Sequence, residues 1–331
     1  PSALTLGTLT TTSASFSWTA PATAPSSYDY YISTDPTAPT NTTTPTGNVN
    51  PTNATAGSLT PSTNYNVWVR SNCGPAGTSF WIGPLNFNTP QIPGTMPYAQ
   101  NFDSGAHNFS FVNGTQTNKW FVGTAASNSP TSSLYISDQA AGTTNTYSHT
   151  LTRVHAYRDI EFPTTINSGQ VLLKFDWRSL GENNFDFVRV WIVPINYTPV
   201  AGTQITAANS GGTQIGGNYQ MNGSWSTVNN VVTVPAAWNG TIRRVVFEWS
   251  NDGGGGANPP AAIDNLEMSV ITCAAPTNLV AGAIDPVSAV FNWTAPTPAP
   301  AGYDYYVTTS PVPPTAGTVP TGYVTSPTVT L

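Results

Sequence analysis

One stretch of this chain is written twice, 275 residues apart, and that constrains the fold more than any other feature. Trp18-Thr19-Ala20-Pro21 returns as Trp293-Thr294-Ala295-Pro296, Tyr28-Asp29-Tyr30-Tyr31 as Tyr303-Asp304-Tyr305-Tyr306, and Pro45-Thr46-Gly47 as Pro320-Thr321-Gly322, all in one register. A repeat of such long period marks an array of modules. Arrays span distance or present binding units, which turns the reading from enzyme toward surface architecture.

The 331 residues suffice for two or three domains. Charge is sparse, with nine Lys or Arg and fifteen Asp or Glu, and Thr, Ser, Asn, Gly and Pro supply the polarity. Trp, Tyr, Phe and Val are plentiful, which excludes charge-driven disorder and, with few helix formers, predicts an all-β chain. A net charge of −6 argues against nucleic acid as a partner. No stretch approaches the ~20 apolar residues that a membrane span needs. All but five charged residues (Asp29, Asp35, Arg70, Asp285 and Asp304) lie between about residues 95 and 272. Two kinds of domain alternate.

Residues 1–90 show short strands punctuated by Pro, Gly, Asn and Ser, the pattern of a β-sandwich. Ala14-Ser15-Phe16-Ser17-Trp18 alternates so that Phe16 faces a core. Leu59-Thr60-Pro61-Ser62-Thr63-Asn64-Tyr65-Asn66-Val67-Trp68-Val69 resembles the fibronectin type III tyrosine corner, where a Tyr at a strand start turns its hydroxyl onto nearby backbone. On that resemblance Val67 and Val69 point inward and Phe87-Asn88-Thr89 closes the module. The second copy, residues 273–331, is expected to be a fibronectin type III module lacking roughly thirty residues of the first copy's strand pattern. Its strand edges should then be unpaired.

Cys73 follows the tyrosine-corner strand and Cys273 precedes Pro276. Carried through the repeat, each would close a disulfide with a partner outside this sequence, in a loop of about 75 residues contributing roughly 4 kcal/mol. That suits an oxidising extracellular setting. The alternative is two buried free thiols. A direct Cys73–Cys273 bond would have to cross the whole central region.

Residues 95–272 carry strands of a larger sandwich, among them Val171–Arg178, Phe185–Val193 and Thr241–Trp249, apolar at alternate positions. They open on Tyr98-Ala99-Gln100-Asn101-Phe102-Asp103 and close on Ala261-Ala262-Ile263-Asp264-Asn265-Leu266, with Leu134–Asp138 and Phe175–Arg178 between. This bracket resembles the jelly-roll domains known as choice-of-anchor J or cleaved-adhesin domains, relatives of MAM-type sandwiches. The expected fold is therefore tandem β-sandwiches: a fibronectin type III module, a jelly roll, and a truncated second fibronectin type III module. The resemblance implies a secreted bacterial surface protein, cargo of the type IX pathway. It also implies structural calcium held by Asp103 and Asp264, with Asp138 or Asn265, carbonyls and water completing six to eight oxygens. The competing reading makes these carboxylates acceptors for local N–H groups.

A charged constellation of Arg153, His155, Arg158, Asp159, Asp176, Arg178, Glu182, Asp186 and Arg189, with Tyr157 among them, crowds one region. Asp176 and Arg178 share one strand face, Phe175 and Trp177 the other. Two readings stand: a polar ligand groove of Trp177, Asp176, Arg178 and Glu182, with Trp177 or Trp191 stacking on a sugar, or cross-strand ion pairing. Asn251–Pro260 is a loop, since consecutive glycines do not hold a strand, and without a following Lys-Ser/Thr it is no phosphate loop. The three histidines sit in no metalloprotease or nucleophile-elbow context, and carboxylate pairs suited to glycoside hydrolysis, such as Asp176 with Glu182, stay open at the level of sequence. The chain reads as a non-catalytic repeat segment of an extracellular adhesin, stalk or filament, partnered by neighbouring modules, copies of itself, glycans or surfaces. The rival is a carbohydrate-binding accessory region of a large secreted enzyme.

Overall fold

The computed structural model describes residues 1–105, 107–128, 130–315 and 317–331. Strands make up 48% of the chain and helix 3%, as expected where β-branched and aromatic residues outnumber helix formers. Two compact units divide it: Pro1–Gly94 with Asn108–Ser110 and Tyr157–Asp159, and the remaining residues.

In the first unit seven strands, β1 (Ser2–Leu9), β2 (Ala14–Thr19), β3 (Ser27–Ser33), β4 (Gly47–Val49), β5 (Asn53–Ala56), β6 (Asn64–Asn72) and β7 (Ile82–Asn88), form two antiparallel sheets, β1-β2-β5 and β4-β3-β6-β7. Period-2 alternation drives Ala14, Phe16 and Trp18 into one core with Tyr28, Val67, Val69 and Phe87. The Tyr65 hydroxyl accepts the Thr60 N–H at 3.0 Å, closing the tyrosine corner. Trp68, which alternation places on the outer face, is nevertheless only 1% exposed. Tyr31 tilts against it at 5.9 Å, and Trp81, held by its indole N–H on the Thr40 carbonyl at 3.0 Å, packs on Tyr31 in turn. Both faces of this sheet are therefore dressed.

Asp29 and Arg70, opposite each other on β3 and β6, form a buried ion pair at 2.9 Å. Asn48 and Asn72 donate to the other Asp29 oxygen at 2.7 and 3.2 Å. Burial alone would raise the Asp29 pKa, but these hydrogen bonds and the Arg70 charge hold it below the ordinary carboxylate value. Gln91, also buried, donates to the Tyr157 carbonyl and the Ser110 hydroxyl and accepts from Arg158 and the Asp159 N–H, all within the first unit.

Twelve strands follow: β8 (Gly94–Thr95), β9 (Tyr98–Gln100), β10 (Ser110–Val112), β11 (Lys119–Gly123), β12 (Ser133–Ser137), β13 (Thr152–Glu161), β14 (Gln170–Ser179), β15 (Phe187–Pro194), β16 (Thr213–Tyr219), β17 (Asn222–Thr233), β18 (Ile242–Asn251) and β19 (Ala262–Val270). They build two six-stranded sheets: β10-β13-β18-β15-β16 with β8 on β13, and β11-β12-β19-β14-β17 with β9 on β19. The opening and closing strands are thus hydrogen-bonded neighbours, Gln100 opposite Leu266 and Tyr98 opposite Met268. The fully buried side chains include Trp120, Leu134, Ile136, Phe175, Phe247 and Trp249.

The last five strands, β20 (Thr277–Asp285), β21 (Ser288–Thr294), β22 (Tyr303–Tyr305), β23 (Gly322–Val324) and β24 (Thr328–Thr330), repeat the pairing of β1 to β5: β20-β21-β24 answers β1-β2-β5, and β22-β23 answers β3-β4. Trp18 meets Tyr28 edge-on at 5.3 Å and Trp293 meets Tyr303 at 5.2 Å. The Thr46 N–H reaches the Tyr30 carbonyl at 2.8 Å, and the Thr321 N–H reaches that of Tyr305 at 2.8 Å. Even the indole N–H groups of Trp18 and Trp293 match, each buried without an acceptor among the described residues. Cys73 and Cys273 are exposed free thiols, so the reading of two buried thiols is corrected: each flanks a strand end rather than a core.

Candidate functional site

The outer face of the sheet β11-β12-β19-β14-β17 gathers the chemistry. Register places Phe121 opposite Tyr135, Tyr135 opposite Ala262, and Ala262 opposite Arg178, so one row crosses four strands. Trp225 on β17 completes it, its ring 5.3 Å from the Arg178 guanidinium carbon. Phe121, Arg178 and Trp225 are partly exposed, while Tyr135 is buried with its hydroxyl on the Gly142 carbonyl at 2.5 Å. Arg178 donates to Asn145 Oδ1 at 2.9 Å, and burial lowers its pKa. A cation stacked on an indole beside two aromatic rings offers apolar contact and directed donors together.

Next to this row lies a polar cluster. Asp176 and Asp264 are opposed on β14 and β19. Asp176 accepts from Thr227, from Asn128 Nδ2 at 2.7 Å and from Asn265 Nδ2 at 2.8 Å. Burial raises its pKa, but these donors and the Lys174 charge outweigh that and leave it lowered. Asp264 accepts the Asn128 and Asn265 N–H groups at 2.8 Å each.

The four residues expected to share a groove therefore separate. Asp176 and Arg178 are on the outer face. Trp177 points the other way and packs edge-on against Tyr219 at 5.1 Å. Glu182 follows Gly181, whose φ of 57° turns the chain, and joins Asp186, Asp252 and Tyr147 beside the loop after β18. There the Tyr147 hydroxyl donates to Asp186 at 2.5 Å. Burial and the Asp252 and Glu182 charges raise the Asp186 pKa despite the hydrogen bonds it accepts. Asp176 and Glu182 share no hydrogen-bond partner. Trp191, the other stacking candidate, is 4% exposed.

Ion pairing does occur across strands, but through a residue the charged constellation omitted. Glu248, opposite Arg189, bonds it at 2.5 Å and approaches His155 at 3.5 Å, with both Glu248 and His155 fully buried. Its carboxylate also accepts the Ile205 N–H at 2.6 Å. Its one local signal is a charged residue inside the apolar run Val245-Val246-Phe247-Glu248-Trp249. Trp225, also missed, sits in polar Gly223-Ser224-Trp225-Ser226, where a lone indole has no apolar run to explain it.

Asp103, Asp138 and Asp264, the carboxylates expected to hold calcium, share no hydrogen-bond partner among the described residues. Asp103 Oδ1 accepts from Thr131 and Ser132, and Asp138 Oδ1 from Gln139 and Thr146. Both Asp264 oxygens take backbone N–H groups. Among the described residues no group of three or more His, Cys, Asp or Glu could hold a metal ion. Asp103 Oδ2 is buried without a hydrogen-bond partner, so of the expected carboxylates it alone keeps a shielded oxygen open to a cation, which needs six to eight oxygens in all.

Residues 1–81 match the fibronectin type III domain. No match is found among curated proteins. Similar solved structures include the CBM22-1 xylan-binding domain of Paenibacillus barcinonensis Xyn10C, at 8% identity and a TM-score of 0.34, over 55% of this chain and 98% of that one. The CBM22-1-CBM22-2 tandem of the same protein matches at 11% and 0.33, over 79% of each chain. A carbohydrate-binding module of the β-sandwich superfamily matches at 13% and 0.33, over 80% of this chain and 96% of that one. Scores of this size leave the reading of function to the residues themselves.

Proposed function

We propose that this chain is a non-catalytic segment of repeated β-sandwich modules from a secreted, cell-surface adhesin, stalk or filament. The repetition carries the reading. Two copies separated by 275 residues keep the same strand pairs, the same Trp–Tyr contact and the same turn hydrogen bonds. A catalyst has no need of a duplicated module, whereas a spacer is built by duplication. No helix among the described residues is long and apolar enough to cross a membrane. Stretching single molecules between surface attachments tests this. The first module should unfold as one discrete event lengthening the chain by roughly 30 nm, from about 3.5 Å per extended residue. A smooth extension without discrete rupture argues against a load-bearing role.

One observation favours a second reading, glycan binding by the jelly roll. The row combines the partly exposed rings of Phe121 and Trp225 with the Arg178 guanidinium, over buried Tyr135 and Ala262. An array of plant and bacterial polysaccharides should then give a hit that Trp225→Ala abolishes while the far-ultraviolet circular dichroism of the folded chain is kept. Neither reading depends on calcium, and without a bound ion millimolar calcium or a chelator should leave the melting temperature unchanged. A rise with calcium would restore the metal to Asp103 and Asp264.

A further inference from the structure

Two turns meet beside the start of β13, on the sheet that does not carry the aromatic row. In one, the Gln116 N–H closes on the Asn113 carbonyl at 3.1 Å. In the other, the Thr203 N–H closes on the Val200 carbonyl at 3.0 Å, and the Gly202 N–H fastens the turn to the Arg153 carbonyl at 2.8 Å. A cavity of about 400 Å³ opens there, lined by Gln116, Leu151, Arg153, Gly202 and Gln204. That is room for a guest the size of a single sugar. Gly202 helps to keep it open, since its φ of 83° suits glycine and a β-carbon there would stand 3.5 Å from Gln116 Nε2.

The lining is rich in donors and includes no carboxylate. Arg153 gives Nη1 to the Thr152 carbonyl at 2.7 Å and to the Asn251 carbonyl at 2.5 Å, which fixes the guanidinium plane. Its Nε and Nη2 take no partner among the described residues, and it joins none of their ion pairs. Those two nitrogens form the parallel edge that meets a carboxylate at two points. Gln204 presents its amide oxygen to Arg189, at 2.7 Å from Nη2, which leaves Nε2 as a donor. Leu151, 63% exposed, adds an apolar wall.

The surrounding charges narrow the guest further. Glu248, Asp252 and Asp186 lie close enough to Arg153 to act on its charge. They favour the guanidinium, but they oppose a doubly charged anion more strongly than a singly charged carboxylate. A bare carboxylate would leave Leu151 and the two amides without contact. A sugar ring bearing one carboxylate supplies a C–H face for Leu151 and hydroxyls for Gln116 and Gln204.

We propose that this cavity binds a sugar acid, its carboxylate held by the Nε–Nη2 edge of Arg153, its hydroxyls by Gln116 and Gln204, and its ring against Leu151. Arg153 belongs to β13 and the Phe121–Trp225 row to the other sheet, so this site stands whether or not the row binds a glycan.

The test titrates sodium galacturonate and sodium glucuronate into the ¹⁵N-labelled full chain, with galactose, acetate and sulfate run in parallel. At least one sugar acid should shift the Gly202, Thr203 and Gln116 amides saturably, about tenfold more tightly than any of the other three probes. Arg153→Gln should weaken that binding by about tenfold. Gln116 makes no side-chain hydrogen bond among the described residues, so Gln116→Ala keeps the test readable should Arg153→Gln fail to fold, and it should weaken binding by about threefold. Trp225→Ala should leave these shifts as they are, which separates this site from the aromatic row. Saturable shifts from neither sugar acid overturn the proposal. So does acetate or sulfate binding as tightly, which would leave only an anion site, or galactose binding as tightly, which would leave the carboxylate without a role. Unchanged affinity in folded Arg153→Gln or in Gln116→Ala overturns it too.

Discussion

Replacing Asp29 by Ala removes one partner of a pair whose side chains are 7% and 4% exposed. Arg70 is left buried, keeping only the Asn41 carbonyl at 3.0 Å and the Trp81 ring at 4.4 Å. Uncompensated buried charge costs about 3–5 kcal/mol. In a module of this size each kcal/mol moves the melting temperature by about 4–8 °C, so the transition should fall by at least about 12 °C. Calorimetry gives the shift, and near-ultraviolet circular dichroism reports loosening around Trp81. Asp304→Ala supplies the internal control, because the same residue of the repeat is exposed and should change stability by less than about 0.5 kcal/mol. Replacing the pair together, Asp29→Leu with Arg70→Met, should recover most of the loss. The pH dependence has a fixed sign. The folded pKa of Asp29 is depressed, so its contribution is present above the unfolded value near ~3.9 and disappears as pH falls through the lower folded value. A cost below about 1 kcal/mol for Asp29→Ala would refute the reasoning. Equal costs for Asp29→Ala and Asp304→Ala would refute it too.

Glu248→Ala leaves Arg189 and buried His155 without their shared carboxylate, and should lower stability by about 3–5 kcal/mol in chemical denaturation. Tyr65→Phe removes the acceptor of the Thr60 N–H while keeping the ring stacked at 5.8 Å on Phe87, so the loss should be about 0.5–1.5 kcal/mol by calorimetry. Asp186 behaves opposite to Asp29: its folded pKa is raised, so its contribution is full below the unfolded value near ~3.9 and is lost as pH rises through the folded value. Asp186→Asn keeps an acceptor for Tyr147 and should therefore melt higher than wild type at pH 7, with the advantage gone at acidic pH.

Much of the fold was legible in the residues because its determinants are local. Alternation around Phe16 and Trp18 and the Tyr65 corner each depend on neighbours within a few positions, and the structure shows them where the spacing placed them. The candidate site was legible only in part. Alternation separated Asp176 and Arg178 from Trp177 correctly, but it could not tell that Trp225 would lie beside Arg178 or that Glu248 would join Arg189. Those pairings depend on register between β14 and β17 and between β15 and β18, set by the packing of whole sheets. Glu182 was misplaced because Gly181 turns the chain away from the strand line.

The repeat separates the two contributions cleanly. Sequence alone determined that Trp18 and Trp293, Tyr28 and Tyr303, and Asp29 and Asp304 occupy equivalent strand positions, since strand pattern and turn chemistry are written in consecutive residues. Only tertiary structure decided that Asp29 is the buried half of an ion pair with Arg70, and that Trp68, on the opposite face of the same strand from Val67 and Val69, is buried against Tyr31. Burial, and with it the strength of any charge–charge contact, belongs to the strands that pack on a residue from far along the chain.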